Sequence, residues 1–268
     1  MDLCWDLRWE EHGWERLAPG VGRRRLPGWD ATAGLVVGEG SVLLYDTGAT
    51  LQDGAGLRAG VRSLLGERRV THVALSHPHF DHVLGTAAFP GVEVYGAVGM
   101  ARLLSGGGPG LYEEAVRLGA DADGTARAVE ALVVPRHEVS GELVLELGGG
   151  RRAVLVNVGP GHTAHDLVVL VPGASAGAGA ASAGAGVASA GSGAPAAPPV
   201  VFCGDLVEES GEPQAGPDAI PARWPAALDR LLALGGEDAV YVPGHGAVVD
   251  AAFVRAQREA LARRFAGS

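Results

Sequence analysis

The sequence predicts an α/β protein built on two β-sheets, and three observations predict it. Short apolar runs of strand length come first as neighbours and then alternate with amphipathic segments of helix length. A second series of such runs occupies the C-terminal half. Several of the runs end in a glycine-bordered polar residue, the usual sign of a strand edge that carries a site. The 268 residues suit one large α/β domain, or one domain with an insertion.

The elements follow in order. Leu35-Val36-Val37 and Val42-Leu43-Leu44-Tyr45 flank Gly38-Glu39-Gly40-Ser41 and read as a hairpin. Leu57, Val61, Leu64 and Leu65 share one helical face. His72-Val73-Ala74-Leu75 reads as a buried strand that delivers a histidine cluster at its end. Val92 to Tyr95 reads as a strand and Ala97 to Leu104 as a short helix. Ser105 to Thr125 reads as a mobile cover with a helix-like stretch from Leu111 to Leu118. Leu143 to Leu147, Ala153 to Val158, Leu167 to Val171 and Val200 to Cys203 form the strands of a second sheet. Trp224 to Leu234 is helical, Val240 to Val242 a strand and Ala251 to Arg264 a terminal helix.

Residues 174–199 stand apart, being nearly all Ala, Gly, Ser and Pro. Such a segment buries too little to offset its ordering entropy. It is expected to be a disordered loop inside a single domain spanning 1–268, because candidate ligands lie on both sides of it.

Composition removes several functions. Every one of the 21 basic residues is arginine, so lysine-based Schiff-base catalysis, a Walker-type phosphate loop and a kinase are excluded. The formal net charge of −10 opposes a nucleic-acid partner. No apolar run has the length of a membrane span. Acidic residues near the start and only two cysteines, Cys4 and Cys203, suggest a reduced, cytoplasmic setting. A small-molecule substrate is the expected partner, with the oligomeric state open.

His77-Pro78-His79-Phe80-Asp81-His82 packs four potential metal ligands into six residues at a strand end. Imidazole and carboxylate are the usual ligands of zinc and its first-row neighbours. In extended backbone His77 and His79 point the same way and can grip one ion. Asp81 and His82, at the turn into a helix, can reach a second. Gly159-Pro160-Gly161-His162-Thr163, Cys203-Gly204-Asp205 and Pro243-Gly244-His245-Gly246 each add one more potential ligand at a glycine-bordered strand end. Two divalent ions roughly 3.5–4 Å apart would share and deprotonate a water near neutral pH. The resulting hydroxide attacks a carbonyl or phosphorus, with Asp81 placed to orient it and shuttle its proton.

These motifs resemble the metallo-β-lactamase superfamily: the His-x-His-x-Asp-His signature at residues 77–82, then His162, Asp205 and His245 in order. Val42 to Gly48 resembles the leading motif. The resemblance covers roughly residues 30 to 250. It implies an αββα sandwich of two mixed sheets, helices on the outer faces and the site at one edge. It also implies that His77, His79 and His162 hold one ion, that Asp81, His82 and His245 hold the other, and that Asp205 bridges them. Zinc is the first expectation, with iron or manganese as alternatives.

Departures narrow the branch. One lactamase branch carries cysteine where Asp205 stands and lysine three residues later, where this chain has Glu208; another usually lacks the bridging aspartate. Diiron flavoprotein relatives place an acid where His79 stands. A complete set of seven ligands resembles the hydroxyacylglutathione hydrolases (glyoxalase II) and lactonases, which implies hydrolysis of a small ester, thioester or lactone. A mononuclear iron sulfur dioxygenase acting on a persulfide is the alternative from another class, and β-lactamase or phosphodiesterase activity remains open on the same fold.

Further candidates surround the ligands. Asp46 is expected to support the metals through hydrogen bonds. His165 and Asp166 could orient a ligand or form a polar turn. His137 could rim the pocket, while His72 and Cys203 read as structural. Arg255, Arg258, Arg263 and Arg264 read as a solvated helix face. Pocket walls are expected from the loop at Trp29, from Ser105 to Thr125, and from the proline-rich stretch Glu208 to Trp224.

Overall fold

Four antiparallel strands start the chain: β1 (Glu15–Ala18), β2 (Val21–Arg25), β3 (Thr32–Val37) and β4 (Val42–Tyr45). The structure is a computed structural model that describes residues 7–106, 110–173 and 197–266. Most of the insertion expected at 174–199 lies outside these, as do Cys4 and Trp5. The first helix, α1, spans Leu51–Leu65 and begins two turns before the apolar spacing predicts. Its start is a capping box: Thr50 accepts from the Asp53 N–H at 3.0 Å, and Asp53 accepts in return from Ala49 N and the Thr50 hydroxyl. Glycines at 54 and 56 hide that turn from an apolar-periodicity reading.

Strand β5 (His72–Ala74) leads through the histidine cluster into the one-turn helix α2 (Phe80–Val83). Then come β6 (Glu93–Ala97), α3 (Met100–Ser105), α4 (Leu111–Arg117), α5 (Ala122–Glu130) and β7 (His137–Val139). The segment expected as a mobile cover thus holds α4 and the start of α5, and Ala97 belongs to a strand rather than to a helix. The second half runs β8 (Glu142–Gly148), β9 (Arg151–Val156), β10 (Val168–Val171), β11 (Val200–Glu208), α6 (Trp224–Gly235), β12 (Val240–His245) and α7 (Ala251–Arg264).

The strands form two mixed sheets. The first has order β1-β2-β3-β4-β5-β6-β7, antiparallel up to β4 and parallel from there. The second has order β12-β11-β10-β9-β8, with only β11 and β12 parallel. Alternation along each strand sorts its side chains into layers. In β3 and β4, Leu35, Val37 and Leu44 face α1 and α2, whereas Val36, Leu43 and Tyr45 face the other sheet. Val36, Leu43, Leu145, Leu155 and Phe202 join in the layer between the sheets. Trp224, Leu228, Leu231 and Val254 cover the outer face of the second sheet. The result is the expected αββα sandwich. Among the described residues no helix is long and apolar enough to cross a membrane.

Candidate metal centre

Five of the sandwich's strand ends and loops converge at one edge. β4 ends in Asp46, β5 leads to His77, His162 lies between β9 and β10, β11 carries Asp205 and Glu208, and β12 ends in His245. The side chains of His77, His79, His162 and Asp205 offer ligand atoms within 4.8 Å of one another. Asp81, His82 and His245 do the same, as do Asp205, Glu208 and His245. All seven expected ligands are therefore brought together, and Asp205 belongs to both halves of the cluster. Its carboxylate lies 3.2–3.7 Å from the ring nitrogens of His82, His245, His162 and His77.

Each histidine is oriented by a hydrogen bond at its far nitrogen. His82 Nδ1 donates to Asp46 Oδ2 at 2.9 Å, His162 Nδ1 to Gln214 O at 3.0 Å and His245 Nδ1 to Trp29 O at 2.8 Å. His77 Nδ1 is 2.8 Å from the Ser76 hydroxyl. His79 is reversed: its Nε2 faces Asp218 Oδ2 at 2.9 Å, so Nδ1 points inward, 3.0 Å from His162 Nε2. Such outer bonds fix the tautomer and leave one lone pair per ring for an ion. Ser76 N binds Asp46 Oδ1 at 2.7 Å, so Asp46 ties β4 to the start of the cluster while sitting in the left-handed region at φ 60°.

The residues present fit a metal. His77 Nε2, His82 Nε2 and Asp205 Oδ1 are buried and have no hydrogen-bond partner among the described residues. Orphaned polar atoms at this density are costly unless something else coordinates them. The electrostatics agree. Burial, helped by the charge of His82, drives the His77 imidazole well below its ordinary value. Burial lowers His162 to about 4. Burial opposes charge on His245 as well, but the Asp205 carboxylate overcomes it and raises the imidazole to about 9. Burial would raise Asp205, yet His82, His245 and His77 hold it well below the usual carboxylate range.

Strand β11 departs from expectation in a way that shapes the site. It was expected to end near Cys203 but continues to Glu208. Gly204 pairs with Pro243 and Glu208 with His245, so β11 spends four residues where β12 spends two. This irregularity, with Gly204 at φ 55°, lets Asp205 and Glu208 both reach the centre although they are three apart. A Cβ on Gly244 would collide with the Asp205 carboxylate, which explains the glycine before His245.

Other candidates sort by position. Asp166 accepts from Thr163 N and the Thr163 hydroxyl, holding the turn that carries His162; burial raises its carboxyl to about 7. His165 faces away, with Nδ1 donating to Val98 O at 2.9 Å. His137 pairs with Glu93 and stacks on Tyr95, as does His72 from the other side, so it does not rim the pocket. Cys203 is buried, and its thiol donates to Val201 O. Three of the helix arginines, Arg255, Arg258 and Arg263, pair with Glu237, Asp229 and Glu259 on the surface.

A cavity of about 520 Å³ opens over the cluster. Trp29 and Phe80, in edge-to-face contact at 5.2 Å, make an apolar wall with Leu118. Glu114, Glu208, Glu212 and Arg117 line it as well, beside His79, His162 and His245. The pocket walls therefore come from the three regions expected. Sequence reasoning missed Asp218 and Gln214, which lie in a loop whose prolines carry no periodic signal.

Comparison with known proteins agrees with this architecture. A metallo-beta-lactamase from Pontibacter korlensis superposes with a TM-score of 0.64 at 20% identity, over 92% of this chain and 97% of that one. The metallo-beta-lactamase FIM-1 from Pseudomonas aeruginosa, in its mono-zinc form, superposes at 0.63 with 18% identity, over 95% and 96%. At such identities the likeness establishes the fold alone. No curated protein sequence matches the chain. The family model described as the metallo-beta-lactamase superfamily matches residues 26–176, more than half of the length and inclusive of His77 to His162. With that match, the sandwich and the His/Asp cluster at its edge, the chain belongs to the metallo-beta-lactamase superfamily.

Proposed function

We propose that the chain is a metal-dependent hydrolase of a small ester, thioester or lactone, working with two divalent ions, zinc in the first instance. One observation carries the reading: seven ligand side chains converge, with three buried ligand atoms that have no hydrogen-bond partner among the described residues. His77, His79 and His162 would hold one ion, and Asp81, His82 and His245 the other, with Asp205 between them. When bound, such ions supply Lewis acidity, acidifying water toward neutral pH and polarising the electrophilic oxygen.

The chain's own residues set the rest. Asp81 lines the cavity, so its carboxylate can take the proton of the attacking water and return it to the leaving group. Trp29 and Phe80 exclude water from one side and fit an apolar acyl portion. The test is metal content of wild type beside His79→Ala and Asp205→Ala, then turnover of thioester, lactone, phosphodiester and β-lactam substrates. Unchanged metal content in both variants overturns the metal assignment; turnover confined to β-lactams or phosphodiesters overturns the substrate class.

A further inference from the structure

We infer that Glu208 is an additional ligand of the second ion, making that half of the centre an oxygen-rich site that prefers a harder ion than its neighbour. The inference rests on the two-ion reading above and goes beyond its seven ligands.

Position comes first. Glu208 closes β11 directly beside His245 on β12, as its registered partner. The two extra residues that β11 carries after Gly204 bring Glu208 to the same side as Asp205. One carboxylate oxygen of Glu208 lies within 4.8 Å of ligand atoms on both Asp205 and His245. The side chain lines the cavity while the residue is only 7% exposed.

Its hydrogen bonding suits a ligand. Oε1 accepts from Ser210 N at 3.1 Å and from the Ser210 hydroxyl at 2.5 Å. Every hydrogen bond of the carboxylate falls on that oxygen, and Oε2 makes none among the described residues. A carboxylate clamped at one oxygen and open at the other is how metal-bound carboxylates are commonly supported. A second observation points to the ion itself. His82 is completely buried, its Nε2 has no hydrogen-bond partner among the described residues, and it faces Asp205 Oδ1 at 3.2 Å and Asp81 Oδ2 at 3.6 Å. Asp81 and Asp205 thus face His82 and His245, and Glu208 joins Asp205 at His245.

Donor type then separates the two halves. The first offers three imidazole nitrogens and one carboxylate; the second offers two imidazoles and three carboxylates. Imidazole suits zinc, whereas additional carboxylates favour manganese and similar hard divalent ions. The centre is therefore built for unlike ions, or for one metal held with unequal affinity.

The experiment is titration of the metal-free protein with Mn²⁺ and, separately, Zn²⁺, for wild type and Glu208→Gln, which keeps the shape and can still accept from Ser210. Wild type is expected to bind two equivalents. The variant should keep the first and bind the second at least about tenfold more weakly, with the larger loss for Mn²⁺. Two equivalents at unchanged affinity in a folded variant overturn the ligand assignment and leave the two-ion reading standing. Fewer than two equivalents in wild type overturns both. Should Glu208→Gln not fold, anomalous diffraction from Mn²⁺-loaded wild type decides: an ion bonded to Glu208 supports the inference, and an ion bonded only to Asp81, His82, His245 and Asp205 overturns it.

Discussion

Asp218 Oδ2 accepts a hydrogen bond from His79 Nε2 at 2.9 Å, and this bond turns the ring so that Nδ1, not Nε2, faces the centre. The same loop supplies Gln214 O to His162 Nδ1. One proline-rich segment therefore orients two candidate ligands of the proposed first ion while lining the cavity. Asp218 is about half exposed, so its removal should cost little stability. Asp218→Ala is expected to weaken the first ion by roughly 10–100-fold, the usual range for such supporting carboxylates. Competition with a chromophoric chelator measures it, and an unchanged affinity would show that the loop orients nothing.

Metal uptake at the second half should release protons. His245 is held at about 9 by Asp205, and His82 is raised in the same direction by Asp205, Asp81 and Asp46 against the effect of burial. An ion needs both rings neutral. Affinity there should rise as pH climbs from 7 toward 9, while His162, lowered to about 4, is already neutral throughout. The metal-free fold behaves oppositely. A histidine raised above its ordinary 6.5 contributes stability that is complete below pH 6.5 and is lost as pH rises through about 9. Calorimetry in buffers of different ionisation enthalpy reads the protons, and a pH-independent second affinity above pH 7 would refute the coupling.

Asp46 sets the tautomer of His82. With a carboxylate at Oδ2, His82 must carry its proton on Nδ1 and present Nε2 unprotonated to the cluster. Asp46→Asn keeps an acceptor for Ser76 N but can place an amide N–H against His82 Nδ1. The imidazole then carries its proton on Nε2, aimed at the ion. The second ion should weaken about 10–100-fold with the first retained. Equal loss of both ions would mean that Asp46 supports the edge as a whole rather than one ring.

The candidate ligands were legible because their chemistry is local: four of them in six residues admit few structural readings, and each later histidine or aspartate follows an apolar run and a glycine. The inner strands were legible because both faces are buried, as in Val42–Tyr45. β2 was not, since Arg23, Arg24 and Arg25 interrupt the apolar pattern, nor were β1 and β7, which are short and mostly exposed; Arg23 is buried where it reaches Glu15 and Gly246 O. α5 was missed because Asp121 caps a helix of mostly small and charged residues. The register irregularity in β11 depends on its partner β12, which no local pattern reveals. Asp218 matters only through a residue 139 positions away.

Two glycines explain how the cluster is held against the first sheet. Gly54 of α1 and Gly85, just after α2, touch backbone to backbone, and Gly85 also meets the Thr47 carbonyl. Thr47 in turn donates from its N–H and its hydroxyl to His82 O at 2.9 and 3.0 Å. A Cβ on Gly85 would collide with Thr47 O, although the φ of −82° is open to any residue. Gly85→Ala should therefore destabilise by overpacking, about 1–3 kcal/mol, and should push His82 away from Asp46. Gly56, exposed on α1 with open space at its Cβ, is the control. There alanine should be neutral or stabilise by up to about 1 kcal/mol through helix propensity. Denaturant unfolding of the two variants tests the contact, and equal stabilities would mean that the backbone crossing can open without cost.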